Sequence, residues 1–226
     1  MSAQSKEGER RIAVFDLDGT ITRKDTYVDF LLFCLKKRPL RILRGGELLV
    51  WLFAYKAGFR SNHWLKARFL GTVAAGLGGE KLEKICTEFC NHTVQHNFKP
   101  EALRELQQLR EQGYLLVLAT ASFDFYVSKI FNALNMDYLL CTKAAKDDAG
   151  LLVGALDGKN CIGAEKARRL KQLCAENHWQ SIERAYSDDI VDLPLFQMAA
   201  EAFVVDPKPL TESRAAEPGY KILIWR

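Results

Sequence analysis

Ile12-Ala13-Val14-Phe15-Asp16-Leu17-Asp18-Gly19-Thr20 decides the fold of this chain. Its first four residues form a short apolar run rich in β-formers, which predicts a buried parallel strand over 12–15. Asp16 and Asp18 then fall at the carboxyl end of that strand, where open α/β sheets place their ligand crevices. Gly19 permits a sharp turn and brings backbone N–H groups close to a bound anion. Asp16 is placed to attack as a nucleophile, and Asp18, two residues on, to give and take a proton. A solvated loop capping a helix would use the same residue types. The decision between the two rests on what the remaining strands supply.

Beyond residue 96 strands and helices alternate. Residues 100–112 read as a helix, with Pro100 near its start and Gly113 at its stop. Strands are predicted over 114–119, 138–141, 185–187 and 202–205, and helices over 123–134, 164–176 and 193–200. Lys146 to Gly150 reads as a hairpin turn between short strands. This alternation predicts an α/β fold with a doubly wound parallel sheet. Residues 25–96 show no strand pattern. Tyr27, Phe30, Leu31 and Cys34 recur at helical spacing, Pro39 breaks the run, and Gly45-Gly46 interrupts again. The apolar run 48–55 and two amphipathic stretches, 66–73 and 81–89, complete an all-helical insert. The expected division is a core of 1–24 and 97–226 and an insert of 25–96.

The chain has 226 residues, 48% of them hydrophobic, enough for a substantial core. Residues 1–10 are polar and read as a frayed tail, with no signal or transit peptide expected. The six cysteines lack metal-type pairing and read as free thiols in a reducing cytoplasm. Charge is unevenly spread. Lys36, Lys37, Arg38, Arg41, Arg44, Lys56, Arg60, Lys66 and Arg68 face Glu47 alone, so residues 36–68 carry +8. The whole chain carries +4, which leaves −4 for the remainder. A basic lobe on a mildly acidic body implies an anionic partner there.

Each core strand ends in a residue suited to phosphate chemistry. Thr120 follows the second strand, where its hydroxyl and neighbouring N–H groups suit phosphate oxygens or a plain helix cap. Lys166 lies in the first turn of its helix, where the dipole disfavours a cation, so a carboxylate or phosphate partner is expected. Ser187-Asp188-Asp189-Ile190-Val191-Asp192 offers hard oxygen ligands opposite Asp16, suited to Mg2+.

Together these stretches resemble the haloacid-dehalogenase-type (HAD) hydrolases, in the subfamily IB branch of phosphoserine phosphatases and phosphatidylglycerophosphatase C-like enzymes. Four signature motifs occur in order: Phe15 to Thr20, Leu118 to Ser122, Gly163 to Lys166, and Tyr186 to Asp192. The resemblance covers residues 11–206, and the helical insert sits where this branch carries its cap. It implies a phosphatase in which Asp16 is the nucleophile, forming an aspartyl-phosphate, and Asp18 is the general acid and base. It further implies that Thr120 and the Ala121 N–H hold phosphoryl oxygens and that Lys166 neutralises charge between Asp16 and phosphate. Mg2+ would be held by Asp16, the Asp18 carbonyl and Asp188 (in preference to Asp189), with Asp192 in support. Ser187 replaces the Gly of many relatives, which narrows the approach to the metal.

The resemblance gives Asp25 and, more loosely, Arg68 to the substrate, although a structural ion pair suits both equally. The run 48–55 is too short to span a bilayer, which takes ~20 apolar residues. Either it forms the packed centre of the cap, or, flanked by cations and carrying Trp51 and Tyr55, it lies in a membrane interface. The substrate is expected to be a small phosphate monoester or a lipid phosphate, and nucleic acid is not expected. A phosphotransferase of the same fold is one alternative. A non-catalytic protein docking on anionic membranes through the basic cap is another. The expected location is the cytoplasm, including the inner face of the membrane.

Overall fold

The computed structural model describes residues 10–56, 59, 61–216 and 219–225. Strand β1 (Ile12–Phe15) is followed by helices α1 (Thr26–Lys37), α2 (Gly45–Lys56), α3 (Asn62–Ala74) and α4 (Gly79–His96). Then come α5 (Pro100–Glu111), β2 (Leu115–Phe123), α6 (Asp124–Ala133), β3 (Tyr138–Lys146) and β4 (Leu152–Asp157). The chain ends with α7 (Ala164–Glu176), β5 (Ile182–Ser187), α8 (Leu193–Phe196), β6 (Ala199–Val205), α9 (Pro209–Ala216) and β7 (Lys221–Leu223). Among the described residues seven strands form one sheet, ordered β4-β3-β2-β1-β5-β6-β7, with only the β3–β4 pair antiparallel. This is the predicted doubly wound α/β architecture.

All four residues of β1 are fully buried, and the pleat sends them to opposite faces. Ala13 and Phe15 join the core beneath the helical insert, α5 and α6. Ile12 and Val14 join the core beneath α7 and α8. Phe15 pairs in register with Leu118 on one side and Tyr186 on the other, so β1 and β5 end nearly level while β2 runs on beyond them. The chain passes from β1 toward β2 and later returns to β5 on β1's other side. That reversal makes the crevice beyond β1 the topological switch point. Phe15, Tyr186 and Phe203 stack across the sheet with centroids 4.2 and 4.7 Å apart, and Trp225 closes the row at 6.0 Å. The C-terminal segment is thereby accounted for: β7 extends the sheet and Trp225 covers its aromatic row.

The chain leaves the core and returns side by side. Arg23 N–H donates to the Asn97 carbonyl (2.8 Å), and Lys99 N–H to that of Ile21 (2.9 Å). Among the described residues between these crossings, the regular elements are all helices. The insert rests on the β3–β4 hairpin, through Gly76 N–H to the Leu152 carbonyl and Leu152 N–H to the Leu77 carbonyl. Gly154 has φ +73°, and a Cβ there would lie 2.2 Å from Gly71 Cα, so α3 touches β4 backbone to backbone.

Three sequence expectations change. The helix expected over 193–200 stops at Phe196, because β6 already begins at Ala199 and pairs with Ile182. Strand β2 runs on to Phe123 rather than stopping at 119. Among the described side chains of helix α2, Val50 and Phe53 are 65% and 72% exposed and not packed in the centre of the insert, while Trp51 packs on Trp64 of α3.

Candidate active site

A cavity of about 530 Å3 opens at the carboxyl ends of β1, β2 and β5, roofed by α1 and α3. Asp16, Asp18, Lys166, Asp188 and Asp192 all line it. The level ends of β1 and β5 bring the first and last motifs together, and α7 delivers Lys166 from the sheet's other face.

Lys166 is the electrostatic centre. Its ammonium is buried and donates to Asp16 Oδ1 at 2.7 Å and Asp192 Oδ2 at 2.5 Å. Burial disfavours its charge, but Asp16 and Asp192 outweigh burial and hold it above the usual lysine range. Asp192 is fully engaged by protein, since Oδ2 also accepts from Ser187 Oγ (2.8 Å) and Oδ1 from Gly163 N–H (3.3 Å). Its carboxylate therefore holds Lys166, and Ser187 serves as a donor to it. Among the described residues the other Asp16 oxygen has only a 3.5 Å approach from Thr20 Oγ1, at the limit of a hydrogen bond. That oxygen is available for other chemistry.

Asp18 is held from two elements. Oδ1 accepts from Thr26 N–H (2.6 Å) at the start of α1, and Oδ2 from Ser122 Oγ (2.7 Å) on β2. Asp188 lies directly over the first motif's turn, where a Cβ on Gly19 would meet its Oδ2 at 2.3 Å. Burial, with Asp189 beside it, pushes the Asp188 carboxyl up to about 6. Asp189 instead caps the turn that follows, accepting from Val191 N–H at 3.0 Å.

A divalent cation fits this donor set. Asp16 and Asp188 offer two carboxylates beside a backbone turn, in a cavity that Asp18, Asp25, Asp189 and Asp192 also line against the buried ammonium groups of Lys166 and Lys66. Among the described residues no three His, Cys, Asp or Glu side chains converge on a point. Mg2+ needs no such group, since it is bound through one or two carboxylates and keeps several waters.

The remaining expected residues divide. Ala121 and Asp25 face the cavity, and Asp25 also caps α1 by accepting from Val28 N–H at 2.9 Å. Thr120 does not face it. It is fully buried, accepts from Ser122 N–H (3.0 Å) and approaches Asp18 Oδ2 at 3.4 Å. Arg68 lies outside the cavity, exposed, its guanidinium 5.6 and 5.9 Å from the Trp64 and Trp51 ring centres. The reason is helical phase: Leu65, Lys66 and Phe69 form the cavity face of α3, and Arg68 falls on the face toward α2.

Two lysines escaped the sequence reading. Lys66 lines the cavity. Lys99 is buried, donates to the Gly19 carbonyl and pairs with Asp206 at 2.7 Å, thereby anchoring the first motif's turn. Lys99 is the N-cap of α5, a position where the dipole disfavours a cation. The signal that singled out Lys166 was thus present at Lys99 too.

This fold and site define a hydrolase of the HAD type, and the haloacid dehalogenase-like hydrolase family matches residues 13–197. The chain belongs to that family of hydrolases. It is 29% identical to Protein CicA of Caulobacter vibrioides over 85% of each chain. It is 25% identical to a probable phosphatase of Mycobacterium tuberculosis, over 95% of this chain and 75% of that one. A Bordetella pertussis protein of unknown function shares the fold at a TM-score of 0.82, with 22% identity and coverage of 95% and 98%.

Proposed function

We propose that the chain is a Mg2+-dependent phosphomonoester hydrolase that works through an aspartyl-phosphate on Asp16. One observation carries the reading: Asp16, with Oδ1 fixed by buried Lys166 and Oδ2 approached by Thr20 at no closer than 3.5 Å, lines a cavity that Asp18 and Asp188 also line. The free carboxylate oxygen of Asp16 attacks phosphorus and displaces the alkoxide. Asp18 protonates the leaving oxygen, then takes a proton from the water that hydrolyses the acyl phosphate. Thr26 N–H and Ser122 Oγ orient the Asp18 carboxylate for both steps. Lys166 offsets the charge that gathers between Asp16 and phosphate. Mg2+, held by Asp16, the Asp18 carbonyl and Asp188, would supply charge neutralisation that lets an anionic carboxylate approach an anionic phosphate. Thr120 supports this site through Ser122 and Asp18, and backbone at Ala121 receives the phosphoryl oxygens. Residues 25–96 act as the cap that closes over the substrate, with Asp25 on its wall.

For the substrate, a small phosphate monoester suits the cavity. A lipid phosphate taken at an anionic membrane is a second reading, favoured by a specific observation. Leu40, Val50, Phe53 and Phe59, all on the insert, are 65% to 81% exposed within the +8 segment. Among the described residues no helix is long and apolar enough to cross a membrane.

Phosphate release from a panel of soluble monoesters and lysophospholipid phosphates, with Mg2+ or EDTA, tests the reading. Asp16→Asn should lose turnover and EDTA should stop it. Full turnover in either case would overturn the reading. Loss of low-salt binding to anionic vesicles in a Phe53→Ser, Phe59→Ser variant checks the membrane contact. Unchanged binding would contradict it. Transfer to added alcohols in place of water would mark a phosphotransferase.

A further inference from the structure

Lys66 is a cation of the helical insert placed on the cavity wall, buried to 7% exposure. Its ammonium donates to the Ala121 carbonyl and, at 3.2 Å, to Asn160 Oδ1. Both acceptors belong to the core. Asn160 is itself fixed, because Thr142 Oγ1 donates to the same oxygen at 2.8 Å. The ammonium also lies over two aromatic rings, Phe123 at 4.7 Å and Tyr27 at 5.3 Å. The Tyr27 hydroxyl donates to Lys66's own carbonyl at 2.6 Å, which locks α3 to α1 at this point.

The bond to Ala121 has a geometric consequence. The Ala121 carbonyl and the Ser122 N–H belong to one peptide plane. Lys66 holds the carbonyl, and Thr120 Oγ1 accepts from the N–H at 3.0 Å. A peptide plane fixed at both ends cannot rotate, so the backbone beside the phosphate site is set partly by a side chain from the insert. Arg68, the nearest other cation on α3, faces away and cannot substitute.

We propose that Lys66 is a positioning residue that orients the Ala121–Ser122 peptide, so that seating of the insert and assembly of the phosphate cradle are one event. The proposal rests on the hydrolase reading above. It assigns Lys66 to the enzyme's own backbone and not to the substrate, so its effect extends to substrates too small to reach the insert.

The surroundings give this clasp a pH range. Burial lowers the Lys66 ammonium to about 8, against the opposing charges of Asp18 and Asp25. Tyr27 from α1, Cys141 from β3 and Cys161 from the loop before α7 are the other titratable groups around it. Neutral amine can still donate, but it holds the carbonyl more weakly than ammonium does.

The test uses the full chain, saturating Mg2+ and a small aryl phosphate, with Asp16→Asn as blank and melting curves to show that each variant folds. Lys66→Met should lower kcat about 10- to 100-fold while KM moves less than about threefold, the signature of lost positioning. Lys66→Arg should recover most of the rate and lose the basic limb near pH 8, since a guanidinium stays charged. Asn160→Ala, which removes one of Lys66's two acceptors, should lower kcat in the same direction by a smaller factor. Full kcat in Lys66→Met would overturn the proposal. So would a loss confined to KM, which would make Lys66 a substrate contact, or a wild-type basic limb in Lys66→Arg. Turnover by Asp16→Asn would instead overturn the hydrolase reading, so the two failures are distinguishable.

Discussion

Replacing Gly19 by Ala probes the arrangement of Asp188 over the first motif. Gly19 has φ +79°, a left-handed conformation that costs a residue with a side chain roughly 1–2 kcal/mol. For a chain of this size each kcal/mol lowers Tm by ~2–4 °C, so Tm falls by roughly 2–8 °C. The added methyl would also sit 2.3 Å from Asp188 Oδ2, where ordinary contact begins at 3.4 Å. The carboxylate must retreat by roughly 1 Å, and misplacement on that scale can cost about 100-fold in rate. A melting curve and a Mg2+ titration of phosphate release measure the two effects separately. Gly19→Ala should need at least about tenfold more Mg2+ for half-maximal rate, equivalent to ~1.4 kcal/mol of lost affinity. Asp189→Ala, which removes a turn cap worth about 1 kcal/mol and a like charge beside Asp188 but no proposed ligand, should not raise the Mg2+ requirement. Wild-type rate and wild-type Mg2+ dependence in Gly19→Ala would refute the placement of Asp188. A raised requirement in Asp189→Ala would refute the choice of Asp188 over Asp189.

Three further outcomes are expected. Lys166→Met strands Asp16 and Asp192 without their buried counter-ion, so it should lose about 3–5 kcal/mol in denaturant melts as well as all turnover. An active variant of undiminished stability would contradict this. Gly154→Ala drives a methyl to within 2.2 Å of Gly71 Cα and should destabilise by at least about 2 kcal/mol, read by the same melts. In the fold Lys66 titrates near 8, below the ordinary 10.5, so its burial penalises the folded state fully below pH 8. That penalty fades as pH rises toward 10.5. Wild type should therefore gain about 3 kcal/mol relative to Lys66→Met across that window, and a constant difference would contradict the shift.

Much of this was legible in the sequence for physical reasons. A four-residue apolar run followed by Asp16 and Asp18 signals a buried strand end, because strand periodicity and burial are local properties. Lys166 announced itself by being misplaced at a helix start, and the structure shows the two carboxylates that compensate. What stayed hidden depended on helix phase and long-range contact. Arg68 and Lys66 stand two residues apart in the same basic segment, yet only Lys66 turns into the cavity. Thr120 looked like a phosphate ligand because it follows a strand, whereas β2 continues three residues further and buries its hydroxyl. The apolar run of α2 left a packed centre and a membrane interface both open, and among its described side chains Trp51 packs on α3 while Val50 and Phe53 lie on the surface.

The central claim is that phosphate passes through Asp16. Rapid acid quench of the enzyme turning over substrate, followed by borohydride reduction and peptide mass spectrometry, reads this directly, since an aspartyl-phosphate is reduced to homoserine. Homoserine at position 16, dependent on substrate, is the result expected. Steady turnover with the modification at another aspartate, or with none at all, would contradict it.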